Sequence, residues 1–382
     1  MSPPTRKRKT VDSRPHPPKH HRLGETLTPA LADNSAPAWP LTAENLSRVE
    51  DPSRLAELDL DYRSNISESM ASQPGEYDKL AIAGVLVDNQ EPMSPPVRQF
   101  INDLFGRARD HPSPRAAYVV ANAHAARQGG KELAKELLAK GIGLECFRDG
   151  GYALSTRHPN IRLDDSFLPN SPKARQDMRL KPAQPDVANG YLTRREAAGA
   201  TVPFNRDEEA QIMLEMVRNP RTGQLCPLNV TPRMFFPYYT IQWKSNDAMY
   251  KATAQGACDG AVINEHLRSL YSAAQGPNNP NESDVVLTMH FSATFEGNLV
   301  ILWVHFYNPE KSAYHMERVG QFVVDEQEPM TRYRRFLRNL EDYAMGPRLD
   351  AIKRALSDIS AGSAPGAEQG AAGDDQAAAP VR

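Results

Sequence analysis

The sequence predicts an α/β or α+β domain with a mixed central sheet flanked by helices, and three observations lead to that prediction. Helical and strand periodicities follow one another in the order helix, strand, strand, helix, strands, helix. The segment Met234–Trp243 is aromatic and β-branched, which is typical of a buried strand. Two alternating segments flank Gly297-Asn298, and this arrangement indicates a β-hairpin.

The predicted domain spans residues 76–358 of a 382-residue chain. Residues 1–75 are rich in Pro, Ser, Asp, Asn and Arg, so we expect a disordered tail with one weak helix over residues 42–60. Residues 359–382 are rich in Ala, Gly, Gln and Asp and form a second tail that we expect to be disordered. The roughly 280 residues between the tails suffice for a sizeable core.

Apolar spacing and punctuation by proline and glycine define the helices. The first begins after Ser94-Pro95-Pro96 and has a stripe that includes Phe100 and Leu104. The last follows Gly346-Pro347. Helices are predicted over Val97–Arg109, Ala116–Lys140 (interrupted near Gly129-Gly130, with Gly141 as C-cap), Arg206–Val217, Asp247–Gln275, Thr331–Ala344 and Leu349–Leu356.

Short apolar and alternating runs define the strands. The segment Leu154–Lys181 lacks such a pattern and is predicted to be a loop. Strands are predicted over Asp186–Tyr191, Met234–Trp243, Val285–Glu296, Leu299–Asn308 and Met316–Val324.

The net charge of −2 conceals an asymmetry between the tail and the body of the chain. Residues 1–22 carry seven Lys or Arg against Asp12, a net charge of +6, which leaves −8 for the remainder. A mildly acidic body is not typical of a tight non-specific nucleic-acid binder. The net charge does not exclude a local basic groove.

The basic tail predicts nuclear localisation. Arg6, Lys7, Arg8 and Lys9 form a run of four cations, and such runs are typical of nuclear localisation signals or nucleic-acid patches. We therefore expect an importin-type receptor as a partner, because the prolines around the run keep the peptide extended. A solubilising or RNA-binding tail is the alternative.

Several classes of protein are not expected. No apolar run approaches the roughly 18 residues of a membrane span, and the N-terminus lacks the apolar region of a secretory signal. The cysteines at positions 146, 226 and 258 have no zinc or disulfide spacing, which favours a reducing compartment. Neither GxxxxGK nor GxGxxG occurs.

The candidate site residues lie at strand ends. Asp186 begins a short apolar strand, and Gln242 and Lys244 end the aromatic strand. Gln255 lies on the helix that follows. Neighbouring strands would bring Asp186 and Gln242 together across 56 residues of sequence, whereas each motif taken alone would be an ordinary turn cap or a solvated strand exit.

Five segments together resemble a family of uncharacterised fungal proteins that look like relatives of the PD-(D/E)XK nuclease superfamily. The resemblance extends over about Val97 to Leu356 and rests on these segments: Lys181–Tyr191 (KPAQPDVANGY), Phe236–Lys244 (FPYYTIQWK), Ala252–Cys258 (ATAQGAC), Arg338–Tyr343 (RNLEDY) and Gly346–Leu349 (GPRL).

The resemblance implies a PD-(D/E)XK-nuclease-like mixed sheet and phosphodiester chemistry at its site. Asp186 would be the metal-binding aspartate, Gln242 the second metal ligand, and Lys244 the catalytic lysine. The implied cofactor is Mg²⁺, because carboxylate and amide oxygens suit a hard cation that activates water. Nucleic acid is the implied partner.

The sequence departs from the superfamily pattern at Gln242, where an acidic residue is expected. The amide oxygen still ligates a metal but brings no charge, so metal affinity should fall. The missing acid could come from Glu132, Glu136 or Glu145, and the sequence does not decide between them. The sequence is compatible with a weakly active site and with an inactive one.

Two functions therefore compete. One is a nuclease-fold protein, a degenerate metal-dependent phosphodiesterase that acts on or binds nucleic acid. The alternative is a non-catalytic nuclear interaction or effector-type protein that uses the fold as a scaffold. The last helical region has a cluster of arginines, which we interpret as a solubilising face, with contact to phosphates as the alternative: Arg332, Arg334, Arg335, Arg338 and Arg348.

Overall fold

The computed structural model describes residues 75–89, 93–144, 148–149, 152–153, 155–170, 179–197, 201–244, 249–275 and 285–362. All of them lie within one compact unit, Asn65–Arg382. Residues 1–74 and 363–382 lie outside the described residues, as do the helix predicted over 42–60, the run Arg6–Lys9, Cys146 and Glu145.

The helices of the described residues are α1 (Gly75–Ile82), α2 (Pro95–Gly106), α3 (Pro114–Gln128), α4 (Gly130–Ile142), α5 (Arg206–Leu214), α6 (Met249–Gln275), α7 (Val285–Thr288), α8 (Gln327–Tyr343) and α9 (Leu349–Gly362). A π-helical turn, Ala344–Arg348, joins α8 to α9. None of these helices combines the length and the apolar composition that crossing a membrane requires.

The strands of the described residues are β1 (Val85–Val87), β2 (Arg148–Asp149), β3 (Tyr152–Ala153), β4 (Ser155–Pro159), β5 (Val187–Tyr191), β6 (Met216–Arg218), β7 (Leu225–Pro227), β8 (Phe235–Lys244), β9 (His290–Glu296), β10 (Leu299–Asn308) and β11 (Ala313–Val323).

Within the described residues, seven of these strands form one mixed sheet in the order β1-β11-β10-β9-β8-β5-β4. The pairs β1–β11 and β8–β9 are parallel, and the remaining neighbours are antiparallel. Strands β2–β3 and β6–β7 form two small hairpins. The predicted mixed sheet flanked by helices is confirmed.

Helices α6 and α8 cover opposite faces of the sheet at strand β8. Side chains alternate between the two faces of a strand. The hydroxyl of Tyr239 lies 2.6 Å from that of Tyr333 on α8, whereas the Gln242 amide lies 2.6 Å from Asp259 on α6. Strand β8 is therefore covered on both sides, which explains its continuous aromatic and aliphatic sequence.

The hairpin predicted at Gly297-Asn298 is confirmed. Glu296 on β9 pairs with Leu299 on β10 across the turn, and Gly297 has a φ of +59°. Glycine adopts this left-handed conformation without the steric penalty of a side chain.

Four predictions of local structure are wrong. The helix predicted over Arg206–Val217 ends at Leu214, and Met216–Arg218 is strand β6. The predicted loop Leu154–Lys181 contains strand β4, which lies at the edge of the sheet and whose sequence, Ser-Thr-Arg-His-Pro, has no apolar alternation. Val285–Thr288 is helical rather than part of β9. Gly141 lies inside α4 instead of capping it, and a Cβ there would meet Val119 Cγ2 at 1.9 Å.

The interpretation of the five arginines as a solubilising face is also wrong for two of them, Arg334 and Arg348. Arg334 is fully buried, and its Nη1 donates to the carbonyl oxygens of Gly141 and Gly143 at 2.8 and 2.6 Å. Arg348 is buried as well and donates to the carbonyl oxygens of Phe236 and Pro237. Both guanidinium groups satisfy backbone carbonyls at element ends, a use of arginine that apolar periodicity does not reveal.

Candidate functional site

A cavity of about 780 Å³ opens where β5 begins and β8 ends. We call it the first cavity. The residues that line it are Glu76, Leu80, Lys131, Asn160, Arg162, Leu180, Lys181, Pro182, Gln184, Asp186, Gln242, Lys244, Lys251, Ala254, Gln255, Cys258 and Asp259. It is large enough for one nucleotide-sized ligand.

Strand pairing brings the predicted residues Asp186, Gln242 and Lys244 to this cavity. Val187 pairs with Ile241 in the antiparallel β5–β8 ladder, so Asp186 lies beside the last residues of β8. The backbone N–H of Trp243 donates to Asp186 Oδ2 at 2.8 Å. Gln242 and Lys244 share one side of β8 because residues two apart point the same way.

Two lysines of α4 bind the carboxylate of Asp186. The ammonium groups of Lys131 and Lys135 each donate to Asp186 Oδ1 at 2.9 Å, since residues four apart lie on the same side of a helix. Burial alone would raise the pKa of Asp186, but the hydrogen bonds from Trp243 and from the two ammonium groups outweigh it. The pKa of Asp186 therefore falls below its usual value, and the carboxylate is ionised.

Lys244 lies in the field of these charges. Burial and the nearby ammonium group of Lys131 lower the pKa of Lys244, while Asp186 acts in the opposite direction. No salt bridge of Lys244 is found among the residues that the structure describes. Lys244 is one of the residues that line the first cavity.

Asp259 on α6 is the carboxylate closest to Gln242 among the described contacts. Gln242 Nε2 donates to Asp259 Oδ2 at 2.6 Å and to the Gln184 carbonyl oxygen at 3.3 Å. Burial raises the pKa of Asp259 to about 7, although the hydrogen bond from Gln242 opposes that rise. Asp259 therefore changes its protonation state near neutral pH.

Sequence reasoning missed Asp259, but a signal was present. Asp259 is the one acidic residue in the run Ala252–Val262, where small residues let α6 lie against the sheet. A Cβ at Gly260 would meet His305 Nδ1 at 2.0 Å. A carboxylate on a helix packed this closely is buried, and a buried carboxylate is a candidate functional group.

Two of the three acids considered from the sequence, Glu132 and Glu136, lie among the described residues, and neither lines the first cavity. Glu132 and Glu136 are exposed on α4 and line a second cavity, of about 610 Å³, that Asp186 also borders. Gln255 is exposed and lines the first cavity. Cys258 is buried, and burial raises the pKa of its thiol well above the usual value, as expected for an inert cysteine.

These groups do not fit Mg²⁺ as they are arranged. Asp186 Oδ1 already accepts from two ammonium groups, and its Oδ2 accepts from a backbone amide. Among the described residues, no group of three or more His, Cys, Asp or Glu side chains is placed to hold a metal ion. The positive charge that a metal would bring to Asp186 comes from Lys131 and Lys135.

The first cavity has an excess of cationic side chains. Its acidic members are Glu76, Asp186 and Asp259. Lys181 pairs with Glu76 at 3.1 Å. The basic members are Lys131, Arg162, Lys181, Lys244 and Lys251. Such a set attracts an anion.

Residues 161–356 match the sequence model of a family described as a domain of unknown function, DUF7924. The match includes β5, β8 and α6, and with them Asp186, Gln242, Lys244 and Asp259. Helix α4, which carries Lys131 and Lys135, precedes it. A comparison with curated proteins finds no match to this chain.

Proposed function

This chain belongs to the DUF7924 family, and we propose that it is a nuclease-fold protein that binds a phosphate group of nucleic acid in the first cavity without a metal ion. The relation to the fungal PD-(D/E)XK-like proteins that the sequence resembles is part of this proposal. It is supported by the meeting of Asp186 and Lys244 at adjacent strand ends.

One observation carries the proposal: two ammonium groups contact one ionised carboxylate, and a third ammonium group lines the cavity that this carboxylate borders. Lys131 and Lys135 each donate to Asp186 at 2.9 Å, and Lys244 lines the first cavity together with Lys131 and Asp186. Two opposite charges about 4 Å apart gain on the order of 4 kcal/mol near a protein surface, so a phosphate beside these lysines is strongly attracted. Asp186 positions the lysines in this scheme rather than holding a metal.

The proposal is tested by measuring the binding of a fluorescent single-stranded oligonucleotide to the full chain. Lys131→Ala and Lys244→Ala should each weaken binding about tenfold and reduce its salt dependence, because each removes a phosphate contact. Lys353→Ala is the matched control, since Lys353 pairs with Glu208 at 3.9 Å and does not line the cavity.

The basic N-terminal tail requires its own control, because residues 1–22 attract nucleic acid by charge alone. The same variants are therefore compared in a chain with Arg6, Lys7, Arg8 and Lys9 replaced by alanine. Unchanged affinity in both lysine variants would exclude the cavity and favour the non-catalytic interaction protein. Cleavage that requires Mg²⁺ and Lys244 would favour the phosphodiesterase instead.

A further inference from the structure

The two cavities meet at Asp186 but differ in charge. Asn160 and Asp186 line both cavities. The acidic side chains of the second cavity are Glu132, Glu136 and Asp186. Its basic side chains are Lys135 and Arg157, so two basic and three acidic side chains give the second cavity a formal charge of −1, whereas five basic and three acidic side chains give the first cavity +2. A phosphate backbone is therefore attracted on one side of Asp186 and not on the other.

A bridge of side chains separates the two cavities. Lys131 lines the first cavity and Lys135 lines the second, and both donate to the same carboxylate oxygen of Asp186. The Asp186 side chain is only 10 % exposed. A nucleic-acid strand that continued from the first cavity into the second would have to break this bridge and then pass Glu132 and Glu136.

The charge of the bridge suits a terminal phosphate. The net charge of the four groups at the bridge is +2, because three ammonium groups (Lys131, Lys135 and Lys244) face one carboxylate (Asp186). A phosphomonoester carries about −1.5 to −2 at pH 7, whereas an internal phosphodiester carries about −1. No aromatic side chain is among the described residues that line the first cavity, so base stacking does not compete as the main contact.

We infer that the first cavity binds the end of a nucleic-acid strand, with a terminal phosphomonoester placed against Lys131 and Lys244 and the chain leaving through the cavity mouth. This inference rests on the proposed function and specifies its ligand. The amide side chains of Asn160, Gln184 and Gln255 line the remainder of the cavity and offer polar contacts to the terminal nucleotide.

The test compares four ligands of one sequence on the full chain: a 5′-phosphorylated oligonucleotide, a 3′-phosphorylated one, one with hydroxyl groups at both ends, and a covalently closed circle. One phosphorylated form should bind at least tenfold more tightly than the hydroxyl form and the circle. Lys131→Ala should abolish that difference, and Lys353→Ala should retain it. A free mononucleotide competitor shows how much of the affinity belongs to the terminal group.

The outcomes separate the two proposals. If the circle binds as tightly as the phosphorylated strands and Lys244→Ala weakens both, the cavity binds nucleic acid but not strand ends, and this inference is overturned. If Lys131→Ala and Lys244→Ala change none of the affinities, the proposed function fails and the inference falls with it.

Discussion

Asp186 carries out its proposed role through the groups that it holds in place. Its Oδ1 accepts from Lys131 and Lys135, and its Oδ2 accepts from the Trp243 amide. Because the carboxylate is ionised and largely buried, it fixes two ammonium groups at the boundary of two cavities. The charge of the site is thus cationic around an anionic centre.

Gln242→Glu should create a magnesium site beside Asp259. The new carboxylate would lie where the Gln242 amide now contacts Asp259 at 2.6 Å, and two carboxylates so close require a proton or a cation between them. We expect Mg²⁺ affinity to rise at least tenfold in isothermal titration calorimetry at pH 8. Gln255→Glu is the control, because Gln255 lines the same cavity but is exposed. Equal or weaker Mg²⁺ binding in Gln242→Glu would show that this position is no metal ligand.

Asp259→Asn should change how stability depends on pH. The pKa of Asp259 is about 7 in the folded chain against 3.8 for the free side chain, so folding favours its protonated form. The stability that this proton contributes is present below about pH 4 and lost as the pH rises through 7. Relative to the natural chain, the variant should gain about 2–3 kcal/mol in the free energy of unfolding between pH 5 and pH 8.

Urea denaturation of both proteins at the two pH values measures that gain. The comparison with the natural chain cancels the titration of other groups. A difference between the two proteins that is constant with pH would contradict the raised pKa of Asp259.

At the scale of elements, α8 stabilises the end of α4 through two buried side chains, Tyr333, which donates to the Ile142 carbonyl oxygen at 2.7 Å, and Arg334. The last carbonyl groups of a helix have no partner within it, and Arg334 of α8 supplies donors to the carbonyl oxygens of Gly141 and Gly143. Helix α4 carries the two lysines that contact Asp186. The contact between α8 and α4 therefore supports the candidate site.

Arg334→Met should lower the free energy of unfolding by about 2–4 kcal/mol, because two buried carbonyl groups lose their donor. Arg332→Met on the same helix should change it by less than about 0.5 kcal/mol, since Arg332 is exposed and lies 3.8 Å from Glu328. Chemical denaturation measures both values. Equal effects of the two substitutions would mean that the buried contact contributes nothing specific.

The sequence predicted most elements whose apolar pattern is strong and missed those whose role depends on tertiary contacts. Strand β8 and the Gly297 hairpin have local signals that suffice. Edge strand β4 is polar and is recognisable only through its pairing with β5. Asp186, Gln242 and Lys244 were found because strand order places them together. Three further site residues were missed. Lys131 and Lys135 lie on a helix, where lysines are typical of a solvated face. Asp259 lies among small residues whose pattern has no periodicity.

At the scale of the whole molecule, buried neutral histidines make the fold sensitive to acid. Burial lowers the pKa of His266 to about 4 and that of His305 to about 3, and it lowers the pKa of His290 well below its usual value. These side chains accept protons in the unfolded chain from about pH 6.5 downward and in the folded chain only at much lower pH. Their contribution to stability is present above pH 6.5 and is lost as the pH falls.

The free energy of unfolding should therefore decrease between pH 7 and pH 5. His266 and His305 each contribute a loss of about 2 kcal/mol at pH 5, His290 acts in the same direction, and the opposite effect of Asp259 is smaller than their sum. Urea denaturation at pH 7, 6 and 5 measures the trend. Stability that stays constant or rises toward pH 5 would contradict the neutral buried state of these rings.

The basic tail leads to a prediction about location. Arg6, Lys7, Arg8 and Lys9 precede a domain in a chain of 42.4 kDa, and we expect an importin-type receptor to carry it into the nucleus. A fusion to a large fluorescent reporter should accumulate in nuclei, and replacement of the four residues by alanine should move it to the cytoplasm. Equal nuclear signal for both fusions would show that this run is not the signal.

The central claim is that lysine ammonium groups replace a metal ion at Asp186. The most direct test measures the affinity of the full chain for a single-stranded oligonucleotide, once in EDTA and once in Mg²⁺. The claim predicts the same dissociation constant in both buffers, an intact oligonucleotide in both, and about tenfold weaker binding by Lys244→Ala. Binding that disappears in EDTA, or cleavage that appears with Mg²⁺ and is lost in Asp186→Ala, would contradict it.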